Sequence, residues 1–221
     1  MNAMTQKAQA GNTSGTTGKV DREQMVYVVD DDPAVRHALG VFLETEGYSV
    51  RMFASAEAIL KTANDDGTQG VLVLDQRMNR MSGMELQMEL AAQGIKWPIV
   101  FISGSSNVDI SVRAMKAGAI DFLEKPFSNK DLLESIRDAF LMLEVDKQDH
   151  IRRTAFENLC ERLTAREREV MQLIVSGSRN KDIAQRLGVC SRTVEVHRSR
   201  VMNKMDADSL PHLVQMVYLC S

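Results

Sequence analysis

Short runs of largely apolar residues alternate with helical patterns in the first two thirds of the chain. The runs are rich in β-branched and aromatic side chains, as is typical of strands in a buried parallel sheet. The predicted strands are 25–29, 49–53, 71–75, 98–102 and 120–123. Helical patterns follow them over 33–45, 55–63, 82–93, 107–117 and from 129 onward. This alternation predicts a doubly wound α/β domain with a five-stranded parallel sheet.

The last third of the chain has helical periodicity throughout. Thr164 and Glu167 have the spacing of a capping box at the start of a helix. Two further predicted helices, 180–187 and 191–205, are separated by a tight turn that contains Gly188, and a fourth covers 209–219. Two helices at this spacing predict a helix-turn-helix within a small all-α four-helix domain.

The predicted organisation is a disordered tail over 1–24, a first domain over 25–145, a helical linker over 146–160 and a second domain over 161–221. The tail is rich in Gly, Ser and Thr and cannot bury enough apolar surface to become ordered. No apolar run is as long as a membrane span, and the N-terminus lacks the layout of a secretory signal. We therefore expect a cytoplasmic protein without a membrane partner.

Charge is unevenly divided between the two predicted domains. From His150 onward there are 12 Lys and Arg against 8 Asp and Glu, whereas residues 1–149 carry 15 against 22. An acidic half joined to a basic half suggests that each binds a different partner. The three cysteines are widely spaced, which suits neither a disulfide framework nor a zinc site.

Carboxylates follow two of the predicted strands. Asp30 and Asp31 come directly after the first strand, and Asp75 ends the third. The carboxyl ends of parallel strands meet at one edge of the sheet, so these side chains should lie within a few ångströms of one another. Carboxylates this close repel unless a cation lies between them, and a set of hard oxygen ligands favours Mg²⁺.

Two further groups are expected at the same edge. Ser103 follows the fourth strand and Lys125 follows the fifth. A hydroxyl donor and a fixed positive charge suit a tetrahedral anion built on Asp75, so the predicted chemistry is phosphoryl transfer onto this carboxylate.

Four sequence stretches resemble the landmarks of bacterial two-component receiver domains, and the resemblance covers residues 25–145. The stretches are 28–32, 73–75, 101–103 and 122–127. The resemblance implies that Asp75 is the phosphoacceptor and that Lys125 pairs with the phosphoryl group. It also implies that Ser103 turns toward this group on phosphorylation and that Phe122 follows.

The same resemblance implies a Mg²⁺ site and a dimer contact. The implied ligands are Asp30, Asp31, Asp75 and the backbone carbonyl of Arg77, and the implied dimer face lies within 107–139. Two loops depart from the family pattern. Asn79 stands where the family usually has Pro, and Ser103–Asn107 replaces the usual Thr-Gly-His-Gly-Asp.

Residues 163–170, 180–184 and 192–197 resemble the LuxR-type helix-turn-helix of the NarL/FixJ regulators. The resemblance spans residues 160–219, and residues 209–213 at its end are especially FixJ-like. Helical spacing turns Val194, Val201 and Met205 toward the core and the polar residues outward. The expected DNA contacts, with Glu195, Val196 and Ser199 as readers of base edges, are Lys181, Arg192, Thr193, Glu195, Val196, His197, Arg198, Ser199, Arg200, Asn203 and Lys204.

The sequence therefore predicts a DNA-binding response regulator of a two-component system. In this interpretation a sensor histidine kinase phosphorylates Asp75, the protein forms a homodimer, and the dimer binds double-stranded promoter DNA. Activation of transcription, with RNA polymerase as a further partner, is the expected outcome. The chain would accept a phosphoryl group and dephosphorylate itself without being a classical enzyme.

Two alternatives remain open at the level of sequence. A phosphohydrolase could use Asp75 as its nucleophile, although such enzymes commonly need a second acid at the position of Arg77. A DNA-binding protein could instead use the first domain only as a dimer scaffold, independently of phosphorylation. A flavin- or nucleotide-binding domain is disfavoured because no Gly-rich phosphate loop follows Val29.

Overall fold

The computed structural model of the protein describes residues 24–65, 69–104 and 108–220, without the side chains of residues 64 and 65. The predicted disordered tail lies outside the described residues except for Gln24. Most of the altered loop, Ser105, Ser106 and Asn107, also lies outside them.

The strands form one parallel sheet in the order β2-β1-β3-β4-β5, which confirms the predicted fold class. The strands are β1 (Met25–Val29), β2 (Ser49–Phe53), β3 (Val71–Asp75), β4 (Ile99–Ser103) and β5 (Asp121–Glu124). Every residue of β3 and β4 is buried, as expected for central strands with helices on both faces. The fifth strand lies one residue later than the sequence predicts.

Helices follow the strands in alternation. They are α1 (Pro33–Thr45), α2 (Ala56–Asp65), α3 (Gly83–Ala92), α4 (Val108–Lys116) and α5 (Asn129–Glu161). The Asp32 side chain caps α1 by accepting hydrogen bonds from the N–H groups of Ala34 and Val35. Ser82 and Glu85 form the predicted capping box at the start of α3.

Helix α5 continues for 33 residues, so it covers the predicted linker as well as the end of the first domain. The remaining helices are α6 (Ala165–Val175), α7 (Asn180–Leu187), α8 (Ser191–Lys204) and α9 (Leu210–Cys220). Gly188 ends α7 in the left-handed conformation, at φ 66°, which glycine adopts without steric cost.

The four helices after α5 enclose a core of their own. Val170, Ile174, Ile183, Val194 and Val201 are almost completely buried in it. Phe156 and Leu159, near the end of α5, pack against the same core. The C-terminal region is therefore the all-α domain that the helical periodicity predicts. Within the described ranges, no helix is both long and apolar enough to span a bilayer.

Candidate functional site

The first part of the candidate site lies where β1 and β3 end. Asp30 and Asp75 are buried, with 1% and 6% of their surface exposed, whereas Asp31 is half-buried. Burying a carboxylate is costly unless polar or charged groups compensate it, so two buried aspartates at neighbouring strand ends indicate a functional site.

Backbone N–H groups hold the two buried carboxylates. Asp30 Oδ1 accepts a hydrogen bond from the Asp32 N–H group at 2.9 Å, and Asp75 Oδ2 accepts one from the Arg77 N–H group at 2.8 Å. The Arg36 side chain donates to the backbone carbonyl of Asp30 at 2.6 Å. Each strand end is thus tied to the turn that follows it, and a positive charge lies beside the first of them.

Asp31 is held by the loop after β3. Its Oδ2 atom accepts hydrogen bonds from the Asn79 backbone N–H group at 3.0 Å and from Asn79 Nδ2 at 2.7 Å. The two residues are 48 positions apart in the chain. Asn79 therefore connects the loop after β1 to the loop that follows Asp75.

The donor set at this edge fits a hard divalent cation. Carboxylates and a backbone carbonyl are the oxygen ligands that Mg²⁺ prefers. In the parts of the chain that the structure describes, however, no three carboxylate, imidazole or thiolate residues form a group that could hold a metal by themselves. The carboxylates of Asp30, Asp31 and Asp75 accept hydrogen bonds from N–H groups of the loops after β1 and β3. Bringing these carboxylates closer together without a cation would increase their mutual repulsion.

A second group of predicted site residues lies at the ends of β4 and β5. Ser103 is buried with 1% of its surface exposed, and its backbone carbonyl accepts the Lys125 N–H group at 2.7 Å. Phe122 is half-buried, and its ring centroid lies 5.9 Å from that of Phe101 on the paired strand. Ser103, Phe122 and Lys125 thus belong to one paired unit of two strands.

Strand β5 is also joined to α5. The Ser135 hydroxyl donates to Asp121 Oδ2 at 2.6 Å, and Asp121 Oδ1 accepts the Phe122 N–H group at 2.7 Å. Ser135 is buried, so this contact is shielded from water. The strand that carries Phe122 is therefore bonded directly to the long helix.

A candidate DNA interface lies on α8. Its core side is made by Val194 and Val201, with Met205 directly after it, and all three are fully buried as predicted. The exposed predicted contacts are Lys181, Arg192, Glu195, Val196, Ser199, Arg200 and Asn203. The half-buried ones are Thr193, His197, Arg198 and Lys204. An exposed row of basic and polar side chains on the second helix of a helix-turn-helix fits a major groove.

Two of the half-buried residues, Lys204 and Thr193, also have hydrogen bonds within the domain. Lys204 Nζ donates to Glu167 Oε2 at 2.6 Å. The Thr193 hydroxyl lies 3.1 Å from Cys190 Sγ, and this hydrogen bond lowers the pKa of the Cys190 thiol. His197 Nδ1 is buried and has no hydrogen-bond partner among the described residues.

Glu167 is a buried carboxylate that the sequence places only in a capping box. The Lys204 ammonium group and the Thr164 N–H group both donate to its Oε2 atom, and these bonds lower its pKa to about 2. The sequence signal for Asn79 and Lys204 is weak, because each contacts a partner that is distant in the chain. In the sequence, Asn79 stands out only as a departure from a family pattern, and Lys204 only as an expected DNA contact.

Two family models match the chain. The model described as response regulator receiver domain matches residues 26–137, and the model described as bacterial regulatory proteins, luxR family, matches residues 161–217. The two matches coincide with the sheet and with the C-terminal helical domain.

Individual proteins are similar over both regions. The transcriptional regulatory protein FixJ of Rhizobium meliloti is 44% identical over 191 residues, which are 86% of this chain and 93% of that protein. The response regulator protein TmoT of Ectopseudomonas mendocina is 40% identical over 198 residues, 89% of each chain. The solved structure of the response regulator StyR is 41% identical, with a TM-score of 0.76 over 89% of this chain and 99% of that one.

Proposed function

We propose a phosphorylation switch at Asp75 for this chain, which belongs to the bacterial response regulators that join a receiver domain to a luxR-type DNA-binding domain. Such a chain is a DNA-binding regulator of transcription. The observation that carries the proposal is the buried Asp75 carboxylate at the end of a fully buried strand. Its buried position, with Oδ2 held by the Arg77 N–H group, suits a nucleophile that must be aligned with a phosphoryl donor.

In the proposed reaction, an Asp75 oxygen attacks the phosphorus atom of a phosphohistidine on a sensor kinase. A new oxygen–phosphorus bond forms, and the product is an acyl phosphate on Asp75. The phosphorus–nitrogen bond breaks, and the histidine nitrogen regains a proton from solvent. The Arg77 N–H group already donates to Asp75 Oδ2, so it holds the orientation of the carboxylate. Water later attacks the phosphorus atom, the bond between phosphorus and the Asp75 oxygen breaks, and inorganic phosphate leaves as the carboxylate is restored.

Mg²⁺, held by Asp30, Asp31, Asp75 and the Arg77 carbonyl, would neutralise the negative charge that gathers at this edge. The burial of Asp30 and Asp75 supports this assignment, because a cation offsets the cost of placing both charges there.

Ser103 and Lys125 complete the proposed site. Ser103 is the last residue of β4 and Lys125 directly follows β5, and the backbone bond between them keeps the two strand ends together. In the proposal, the Lys125 ammonium group pairs with the phosphoryl oxygens and the Ser103 hydroxyl donates to one of them. Phe122 then changes its packing, and the Asp121–Ser135 bond transmits this change to α5.

Dimerisation and DNA binding are the proposed outputs. Val108, Val112 and Met115 of α4 are exposed, which supports α4, β5 and α5 as the face that a second copy covers. In such a dimer the recognition helices α8 would enter two half-sites of promoter DNA, and the N-terminus of each helix would attract a phosphate. RNA polymerase in the cytoplasm would be the subsequent partner.

The test compares the full-length protein with Asp75→Asn, and uses Asp146→Asn, an exposed aspartate of α5, as the matched control. Acetyl phosphate and Mg²⁺ are added, and three quantities are measured: intact mass, the mass in light scattering, and binding to a fragment of the protein's own promoter.

We expect the parent and the control to gain one phosphoryl group, to double their mass in solution and to bind DNA at least tenfold more tightly. Asp75→Asn should do none of these. A dimer shift in the Asp75→Asn variant would contradict the proposal. Phosphorylation without a change in the light-scattering mass or in DNA binding would favour the alternative in which the first domain is only a dimer scaffold, independent of phosphorylation.

A further inference from the structure

The loop after β3 contains a local arrangement that the family pattern does not explain. Asn79 directs two donors, its backbone N–H group and Nδ2, at one oxygen of Asp31. Proline, the residue expected here from the resemblance, has neither a backbone N–H group nor a side-chain amide. This chain therefore has two hydrogen bonds to Asp31 that a proline at this position could not make.

The backbone around Asn79 is strained. The Asn79 carbonyl accepts the Met81 N–H group at 3.0 Å, which forms a three-residue turn, and Arg80 at its centre has φ 71°. A non-glycine residue rarely adopts this conformation, and a turn of this type is rare and strained. Such strain persists where surrounding contacts enforce it. The bonds from Asn79 to Asp31, and the bond from the Gly83 N–H group to the Gln76 carbonyl, are contacts of that kind.

The two hydrogen bonds restrict the rotation of the Asp31 carboxylate. A carboxylate has two oxygens with about four lone-pair sites, and Asn79 uses two of these on Oδ2. The side chain is half-buried and would otherwise rotate in contact with water. Partners that hold a ligating carboxylate in this way typically contribute about 10- to 100-fold to metal affinity.

We propose that Asn79 is a positioning residue for Mg²⁺ binding, because it fixes the Asp31 carboxylate relative to the loop that follows Asp75. This inference rests on the proposed function, which makes Asp31 and the Arg77 carbonyl Mg²⁺ ligands. Asn79 does not touch the cation in this scheme. It acts through Asp31, and its hydrogen bonds fix the distance between the loops after β1 and β3.

The experiment titrates full-length protein with MgCl₂, in the absence of any phosphoryl donor, by isothermal calorimetry. The variants are Asn79→Ala, which removes the side-chain donor but keeps the backbone one, and Asp31→Ala, which removes the proposed ligand. Gln93→Ala is the matched control, since Gln93 Nε2 donates to Glu89 Oε1 at the same 2.7 Å distance on the exposed surface of α3 and its C-cap. The melting temperature of each variant is recorded with and without Mg²⁺.

We expect Asn79→Ala to weaken Mg²⁺ binding by about tenfold and to reduce the Mg²⁺-dependent rise in melting temperature. Asp31→Ala should weaken binding further, and Gln93→Ala should leave it unchanged. A lower melting temperature for Asn79→Ala with parental Mg²⁺ affinity would show a merely structural role and overturn the inference. Tighter binding in Asn79→Ala would overturn it too, by showing that Asn79 competes with the cation.

The Asp31→Ala and Asn79→Ala titrations distinguish a failure of the metal site from a failure of the role of Asn79. If Asp31→Ala binds Mg²⁺ as the parent does, Asp31 is not a ligand, and the metal site of the proposed function is wrong. If Asp31→Ala loses binding while Asn79→Ala keeps it, the metal site stands and only the role of Asn79 is refuted.

Discussion

Two carboxylates of this chain accept hydrogen bonds in the same pattern but in different surroundings. Asp31 accepts a backbone N–H group and a side-chain amide from Asn79. Glu167 accepts a backbone N–H group from Thr164 and the ammonium group of Lys204. Asp31 is half-buried, whereas Glu167 is 2% exposed.

The difference lies in the charge of the donors. Lys204 neutralises Glu167 inside the domain, so this carboxylate has a structural role. The Asn79 donors are neutral, so they orient Asp31 without cancelling its negative charge, and that charge remains able to attract a cation. The charge of the hydrogen-bond donors therefore distinguishes a structural carboxylate from a carboxylate that can bind a ligand.

The largest expected effect comes from removing the partner of the buried carboxylate. Lys204→Met should destabilise the C-terminal domain by about 2 kcal/mol, because Glu167 would keep its charge without a compensating cation. Hydrogen exchange followed by mass spectrometry should show about 30-fold faster exchange of the α6 and α8 amides in the full-length protein. The matched control is Lys181→Met on the exposed surface of α7, which should leave exchange unchanged. Equal exchange in both variants would show that the bond between Lys204 and Glu167 does not stabilise the domain.

Acid should weaken the same domain over a defined pH range. The pKa of Glu167 is about 2 in the folded protein, mainly because of its hydrogen bond with Lys204, against an ordinary 4.5. The unfolded chain therefore binds the proton first, and the stability contributed by Glu167 is present above pH 4.5 and lost as the pH falls toward 2. Urea unfolding followed by circular dichroism should show a smaller loss over this range in Glu167→Gln than in the parent. Identical pH profiles would mean that the pKa of Glu167 is not lowered.

The smallest expected effect is on the other carboxylate. Asp31→Asn should change stability without Mg²⁺ by less than about 0.5 kcal/mol, because the amide oxygen still accepts both Asn79 bonds and one like charge is removed. The same unfolding measurement, repeated with Mg²⁺, should show that the variant gains much less stability than the parent. A large loss without Mg²⁺ would place Asp31 in the structural class with Glu167.

Local signals allowed most of the fold to be predicted. The capping boxes at Ser82 and Thr164 depend on residues three positions apart, so the sequence displays them directly. The apolar runs of β3 and β4 predict their strands equally directly, because a strand buried on both faces has few polar positions.

Long-range side-chain pairs were the part that the sequence did not reveal. Lys204 was predicted only as a DNA contact, and its bond to Glu167 joins residues 37 positions apart. The bond between Asn79 and Asp31 spans 48 positions. Such pairs depend on how strands and helices are placed, and a single sequence has no periodic signal for them. The assignment of Asp75, Ser103 and Lys125 to one reaction stays a prediction.

Helix α5 has a consequence for changes in chain length. It rises about 1.5 Å and turns about 100° per residue, so its 33 residues extend about 50 Å. Its first turns are buried through Leu132 and Ile136, and its last turns pack on the C-terminal core through Phe156 and Leu159. One inserted residue between these two contacts would rotate the second about 100° around the helix axis, whereas seven would return it to nearly the same direction. The length of this helix therefore fixes the direction, around the helix axis, of the side chains that pack on the C-terminal core. Tolerated insertions should be multiples of seven residues.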